Sequence, residues 1–456
     1  MEGQTKTQCS KGKKMDIQKA LKQAEKDGIE FITLQFTDLL GVIKEVIKPV
    51  EELEGTASHG VWFDGSSVEG FARIQESDLF LKPDLATYAV VPWLTEQGRT
   101  ARFICDIYGA DGEPFEGDPR FVLKRAAAEA AKDGFEYNVG PEPEFYLFKA
   151  GDHTRTEPLD YGSYFDLTSH EGYKVLMQIL GALESFGIIV EAAHHEVGFG
   201  QYEIDFNYGP CLAVADKVLT LKYCAKKIAQ MHNLHATFMP KPIMGKAGSG
   251  MHVHQSLFNI ESRTNAFYDG SQKYNLSKTA LSFIAGQIKH INGMSAILCP
   301  IVNSYKRLVS GFEAPVYVTW AGMNRSALLR VPKWFKAKPE AARIELRSPD
   351  PTCNPYLAFA VTLMAGLDGI KNNLEPPEPV EENIYELDHE SRAERKIDLL
   401  PTSLADAIEA LKNDSLLRDT LGEHLFQRYV NVKMKEWAEF KQQVTPWELE
   451  TYLDIF

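Results

Sequence analysis

The strongest constraint on this chain's fold lies in four short stretches where charged and apolar residues alternate. They are Glu142-Pro143-Glu144-Phe145-Tyr146-Leu147, His195-Glu196 followed by Gln201-Tyr202-Glu203-Ile204, Met251-His252-Val253-His254, and Arg343-Ile344-Glu345-Leu346-Arg347. Residues two apart in an extended strand point the same way. Glu142 and Glu144 then share one face, as do His252 with His254 and Arg343 with Glu345 and Arg347. The opposite faces carry Phe145, Leu147, Val253, Ile344 and Leu346, fit to back onto a core. Each stretch alone also suits a solvated strand face. Lining one cavity, they bring five carboxylates and two imidazoles together. Each close carboxylate pair would repel by roughly 4 kcal/mol at an effective dielectric of about 20. Divalent cations relieve that, and oxygen-rich ligation favours magnesium or manganese over zinc.

Arg307, Arg325, Arg330, Arg343 and Arg347 accompany this set. Phosphoryl transfer needs both components. Metals neutralise phosphate oxygens, and guanidinium forks hold the transferred group and carboxylate substrates. The residues therefore point to metal-dependent phosphoryl chemistry without naming a substrate. Two glycine-rich loops, Asp64-Gly65-Ser66-Ser67 and Gly245-Lys246-Ala247-Gly248-Ser249-Gly250, suit turns. Neither fits G-x-x-x-x-G-K-[ST], and Gly198-Phe199-Gly200 does not complete a GxGxxG.

At 456 residues the length allows about three domains, or a large one with a smaller companion. The net charge of −14 argues against nucleic acid, whose binding rests on cationic side chains. No apolar run is long enough to span a bilayer, and no signal-peptide pattern is present. Cys9, Cys105, Cys211, Cys224, Cys299 and Cys353 lack CxxC spacing, as expected for reduced thiols of a cytoplasmic protein. Lys6, Lys11, Lys13 and Lys14 mark residues 1–15 as a disordered tail.

Asp16 to Lys26 has the pattern of a capped amphipathic helix, followed by strand-like Ile29–Phe36, Val42–Lys48, Tyr88–Val91 and Arg102–Ile107. Residues 16–115 thus predict a small mixed domain with one helix on a sheet. The turn formers of Glu113–Pro119 bound it, and residues 116–456 form the second domain. There the spacing predicts helices over Phe121–Lys132, Tyr173–Phe186, Val214–Met231, Thr279–Ile291 and Leu404–Lys412, with a further run from Leu416.

Several motifs together resemble the glutamine synthetase family. They are Phe63-Asp64-Gly65-Ser66-Ser67, Gly140-Pro141-Glu142-Pro143-Glu144-Phe145, Lys241-Pro242 leading into Gly248-Ser249-Gly250-Met251-His252-Val253-His254, Asn303-Ser304-Tyr305-Lys306-Arg307, Asn324-Arg325-Ser326, and Arg343 through Asp350. They run from about residue 16 to the C-terminus in the family's order, and look like the prokaryotic type I enzyme of the shorter alpha kind. The resemblance implies an α+β protein: a small β-grasp-like N-terminal domain and a large catalytic domain with a curved antiparallel sheet and surrounding helices. It implies a homododecamer of two hexameric rings. Active sites would lie between subunits, and Trp447–Phe456 would insert into the opposite ring.

The resemblance further implies ATP-dependent ligation of ammonia to L-glutamate through γ-glutamyl phosphate. Carried over motif by motif, Glu144, Glu196 and Glu203 would hold one divalent metal, and Glu142, His252 and Glu345 a second, as Mg2+ or Mn2+. His254, Ser256, Arg343, Arg330 and Tyr208 fall at ATP. Gly248, Arg307, Arg325 and Arg347 fall at glutamate and the phosphoryl group. Asp64 would take a proton from ammonium, and Glu313 on the flap Gly311–Pro315 would complete that site and exclude water, supported by Tyr164 and Ser67. Arg73 resembles an arginine linked to glutamine feedback, and PII-type regulators are possible partners.

Some positions depart from the pattern. Ala247 stands where many relatives have Asn beside the substrate glycine, and Glu340 where some have a Lys before the R-x-E-x-R strand. Asn383-Ile384-Tyr385-Glu386-Leu387 resembles an adenylylation site, but His389-Glu390-Ser391-Arg392 does not match its context, so modification is not expected. Two rivals stand beside the ligase: a relative joining glutamate to a polyamine or other amine, and a catalytically silent homologue serving as sensor or structural oligomer. The anionic Asp64, Tyr164 and Glu313 pocket suits a small cation, and the complete ligand set argues against silence.

Overall fold

The computed structural model describes residues 15–68, 70, 78–93, 98–151, 157–312, 314–334, 338–387 and 389–456. It opens with α1 (Ile17–Lys26), where the Asp16 carboxylate accepts from the Lys19 N–H at 2.9 Å and caps the helix. Ala20 and Ala24 of α1 pack on a sheet of β1 (Phe31–Thr37), β2 (Ile43–Pro49), β3 (Val61–Asp64), β4 (Asp78–Val90) and β5 (Thr100–Gly109), with α2 (Leu53–His59) before β3. Among the described residues the order is β2-β1-β5-β4-β3, with β1 and β5 parallel and the other neighbours antiparallel. This is the expected helix-on-sheet domain. The sequence pattern marks only the end of β4, because Pro83 and an irregularity between Asp84 and Ala89 break its alternation.

The second part begins with α3 (Pro119–Lys132) and β6 (Phe135–Lys149), a strand of 15 residues. There follow α4 (His170–Ser185), β7 (Val190–His195), β8 (Gln201–Phe206), β9 (Gly209–Pro210), α5 (Cys211–Met231), β10 (Leu234–Thr237) and β11 (Met251–Asn259). Then come α6 (Lys278–Leu298), α7 (Ser304–Arg307), β12 (Trp320–Ala321), β13 (Leu329–Arg330), β14 (Ile344–Leu346) and α8 (Pro355–Lys371). The sheet runs β12-β13-β14-β11-β6-β8-β7, with β9 and β10 also on β6. It is mixed, not wholly antiparallel as expected, because β12 and β13 pair in parallel. Phe145, Leu147, Val253, Ile344 and Leu346 join the core with residues of α3, α5, α6 and α8, leaving the charged alternation to the other face.

The chain closes with α9 (His389–Glu394), α10 (Leu404–Lys412), α11 (Ser415–Leu421), α12 (Glu423–Phe440) and α13 (Pro446–Tyr452). Trp447, Leu453, Ile455 and Phe456 remain largely exposed, so this chain's own core does not absorb its apolar end. Arg120, 2% exposed, ties the two parts together. It contacts Asp84 at 2.9 Å, Asp106 at 2.6 Å and Asp216 of α5 at 3.0 Å. Cys105, Cys211, Cys224, Cys299 and Cys353 are free and buried. Among the described residues no helix is long and apolar enough to cross a membrane.

Candidate active site

Strand register assembles the polar face. Pairing of β6 with β11 sets Glu142 opposite His252, and pairing of β11 with β14 sets His254 opposite Glu345. Pairing of β6 with β8 sets Glu144 opposite Glu203. Like charges directly opposite destabilise a sheet, so this last pair is not there for stability.

Glu142, His252 and Glu345 form one cluster, with ligand atoms all within 4.8 Å of one another. His254 Nε2 lies 2.6 Å from Glu142 Oε1, and Arg343 Nε lies 3.3 Å from His254 Nδ1. Glu345 is 1% exposed and is gripped by Arg347 at 2.8 Å and Arg330 at 2.5 Å. Burial opposes ionisation of Glu142, but the charge of His254 and hydrogen bonds from both histidines hold it well below the usual carboxylate range. Glu345 is also lowered against its burial, by His254, Arg347, His252 and Arg330.

The other cluster is oppositely poised. Glu144 is buried and accepts from Gln201 Nε2 at 2.8 Å and from the Gly250 N–H at 3.0 Å. Burial, then the charges of Glu203 and Glu196, push its carboxyl well above the usual range. Burial, then Asp205, Glu142 and Glu196, push Glu203 up to about 10. A divalent cation in place of those protons reverses both shifts, and oxygen donors with few imidazoles suit magnesium-like ions. Glu142, His252 and Glu345 therefore fit a divalent cation, whereas Glu144 and Glu196 belong to no close ligand group among the described residues.

Two members of this region were missed in the sequence. His194 lies 3.5 Å from Glu196 and 3.3 Å from Glu203, and His194, Glu203 and Asp205 form a second close group. That group shares Glu203, so it belongs to the same centre. The signal was present: His194-x-Glu196 and Glu203-x-Asp205 continue the period-two alternation by one step each way.

Two clefts meet at the clusters. One, of about 300 Å³, is lined by Glu142, Tyr208, His254, Ser256, Glu340 and Arg343, which gathers four of the five residues expected at ATP. Arg330 is not among its lining residues; it pairs with Glu345, because the β13–β14 register sets the two opposite one another. The other cleft, of about 670 Å³, is lined by residues including Glu144, Glu196, Gly248, His252, Arg307 and Arg325. Arg307 is buried and donates to the carbonyls of Ser348 at 2.7 Å and Arg347 at 3.1 Å. A Cβ at Gly250 would stand 2.6 Å from Arg307 Nη2, so a side chain there would displace the guanidinium. Ala247 presents its carbonyl here, accepting from the Tyr146 hydroxyl at 2.7 Å, and Tyr385 donates to the Ala314 carbonyl at 2.8 Å.

Other expected residues stand apart. Asp64 ends β3 and accepts from Ser66 N at 2.9 Å and Ser67 Oγ at 3.1 Å. Among the described residues neither cleft draws a lining residue from that sheet. Tyr164 is stacked on Phe165 at 4.2 Å and meets His194 edge-on at 5.6 Å, near the Glu196 cluster. Glu313 and Arg73 lie outside the described residues.

Residues 116–452 match the family described as glutamine synthetase, catalytic domain, and residues 28–110 match glutamine synthetase, beta-Grasp domain. The chain belongs to the glutamine synthetase family. It is 49% identical over 435 residues to a glutamine synthetase of Clostridium saccharobutylicum, covering 95% of this chain and 97% of that one. It is likewise 49% identical over 443 residues to a glutamine synthetase of Thermotoga maritima, covering 96% and 100%. Among solved structures, one described as "GmaS/ADP complex-Conformation 1" aligns with a TM-score of 0.86 at 32% identity, covering 95% of this chain and 99% of that one. A glutamine synthetase family member thus carries both carboxylate clusters at the junction of two clefts.

Proposed function

We propose that this protein is a glutamate–ammonia ligase, forming L-glutamine, ADP and phosphate from L-glutamate, ammonia and ATP. The observation that carries this is the junction itself: carboxylate clusters between a cleft bearing His254, Ser256 and Arg343 and a cleft bearing Gly248, Arg307 and Arg325. Near-full-length similarity to glutamine synthetases supports it.

In the first step an oxygen of glutamate's side-chain carboxylate bonds to the γ-phosphorus of ATP, and the bond to the bridging oxygen breaks, releasing ADP. In the second, ammonia bonds to the acyl carbon of γ-glutamyl phosphate, and the carbon–oxygen bond to phosphate breaks. Bound divalent cations supply charge neutralisation at the phosphate oxygens. Glu144, Glu196 and Glu203 would hold one cation, and Glu142, His252 and Glu345 the other. Arg343, His254, Ser256 and Tyr208 would orient the nucleotide. Arg307, Arg325, Arg347 and Gly248 would hold glutamate and the phosphoryl group. Asp64 would deprotonate ammonium, assisted by Ser67, Tyr164 and Glu313. Since Asp64 is not among the residues that line the two clefts of its own chain, this role needs a neighbouring subunit.

The same reading takes the enzyme as type I, alpha kind, divided at residue 115 into its two domains. It would use Mg2+ or Mn2+ and act in the cytoplasm as a dodecamer, with Arg73 relaying glutamine feedback and PII-type proteins as candidate regulators. The test is product formation from glutamate, ATP and Mg2+, with ammonium set against a panel of amines. Glutamine formation with ammonium alone supports the ligase. Preference for a bulkier amine moves the protein to the amine ligases, and no turnover despite bound metal marks a silent homologue.

A further inference from the structure

Asp160 belongs to neither cluster and is not among the lining residues of either cleft, yet five hydrogen bonds converge on its carboxylate. Oδ1 lies 2.7 Å from His195 Nε2 and accepts from the Gly200 N–H at 3.2 Å and the Gly162 N–H at 3.4 Å. Oδ2 accepts from the Tyr202 hydroxyl at 2.6 Å and the Ser169 hydroxyl at 3.1 Å. His195 on one side and Gly200 and Tyr202 on the other are the two stems of the turn that joins β7 to β8, while Gly162 belongs to the loop after Asp160 and Ser169 caps α4. The β7–β8 turn carries Glu196 and leads directly into Glu203.

The connections onward are short. His195 is 1% exposed, and its Nδ1 lies 2.6 Å from the carbonyl oxygen of Glu196, so the ring spans from Asp160 to the backbone of the ligand residue. On the other stem, Gly200 and Tyr202 flank Gln201, whose Nε2 donates to Glu144 at 2.8 Å. One carboxylate therefore reaches all three expected ligands of this centre: Glu196 through His195, Glu144 through Gln201, and Glu203 through its neighbour Tyr202. The packing leaves no slack. A Cβ at Gly162 would stand 2.8 Å from His195 Nε2, and one at Gly200, where φ is +68°, would stand 2.9 Å from the Leu147 carbonyl.

We propose that Asp160 is a positioning residue that fixes Glu196 and Glu203 in their metal-binding arrangement, setting the affinity of that centre and not of the Glu142, His252 and Glu345 centre. The inference rests on the ligase reading of the metals. Groups outside the ligand shell that orient ligands typically change metal affinity about 10–100-fold when removed.

The probe is Mn2+ alone, titrated into the full-length wild-type, Asp160→Asn and Asp160→Ala proteins and followed by calorimetry and electron paramagnetic resonance. The wild type should bind two ions per chain. Asp160→Asn, which keeps the volume, should weaken one ion about 10–100-fold and leave the other unchanged, with the metal-free melting temperature near wild type. The Mn2+ concentration for half-maximal glutamine formation should rise by the same factor, while kcat at saturating Mn2+ returns to within a few-fold. Tyr202→Phe, which removes one of the five bonds, should weaken the same ion by a few-fold and covers the case in which Asp160→Ala does not fold. Unchanged affinity of both ions in Asp160→Asn overturns the proposal. So does a parallel loss of both ions with the melting temperature, or a kcat that saturating Mn2+ does not restore. A wild-type protein binding no Mn2+ fails the metal reading itself, and is told apart by that first titration.

Discussion

Glu345→Gln is the most informative single change, because Glu345 serves the fold and, on the proposed reading, the metal as well. The carboxylate is buried against Arg347 at 2.8 Å and Arg330 at 2.5 Å. At an effective dielectric of about 20, each contact is a gross attraction of about 6 kcal/mol, largely offset by desolvation. What matters on mutation is the pair of guanidiniums left behind. Removing one partner of a buried ion pair costs about 3–5 kcal/mol. Glutamine keeps the volume and one accepting oxygen, so the expected loss is near the low end, about 3 kcal/mol, with alanine near the high end. The metal effect is separable. Loss of a charged ligand should weaken the ion shared with Glu142 and His252 by more than the roughly 100-fold upper range of changes outside the ligand shell. Melting with and without Mn2+, an Mn2+ isotherm and the glutamine assay together read both effects. Two ions bound at wild-type affinity, with an unchanged melting temperature and near-normal turnover, would refute both assignments.

Two other outcomes follow from the same geometry. Without metal, the Glu203 carboxyl is pushed up to about 10 from an ordinary 4.5. The native protein then holds a proton that the unfolded chain has released between about pH 5 and pH 10, so metal-free stability should fall as pH rises through that window. Melting temperatures from pH 6 to 9 should show this slope, and Mn2+ or Glu203→Gln should flatten it; a metal-free slope identical in Glu203→Gln contradicts the assignment. Gly200→Ala forces a side chain into positive φ against the Leu147 carbonyl. It should cost more than about 1 kcal/mol and weaken the Glu196-side ion, and an unchanged melting temperature would show that the turn tolerates a Cβ.

The alternation that made the sheet legible also marked most of the centre, because one period-two rule governs both strand direction and which side chains meet. It stopped short where ligand-bearing strands end. His194 and Asp205 sit one step beyond the stretches that stood out, and strand pairing decides what lies opposite them. Arg330 shows another limit: its pairing with Glu345 follows from the β13–β14 register, which is invisible in sequence. Asp160 carried no signal at all. Its role depends on contacts 35 to 42 residues away, with His195, Gly200 and Tyr202. The β12–β13 parallel pair likewise rests on two residues per strand, too short for any pattern. Asp64 was legible by motif, but it is not among the residues that line the two clefts of its own chain.

The chemistry is tested most directly by the fate of the side-chain carboxylate oxygens of glutamate. With those oxygens labelled with ¹⁸O, ammonium, ATP and Mg2+, one labelled oxygen should appear in inorganic phosphate for every glutamine formed, since the oxygen that bonds to phosphorus leaves with it. Unlabelled phosphate accompanying glutamine would contradict a γ-glutamyl phosphate and the two-step ligation built on it.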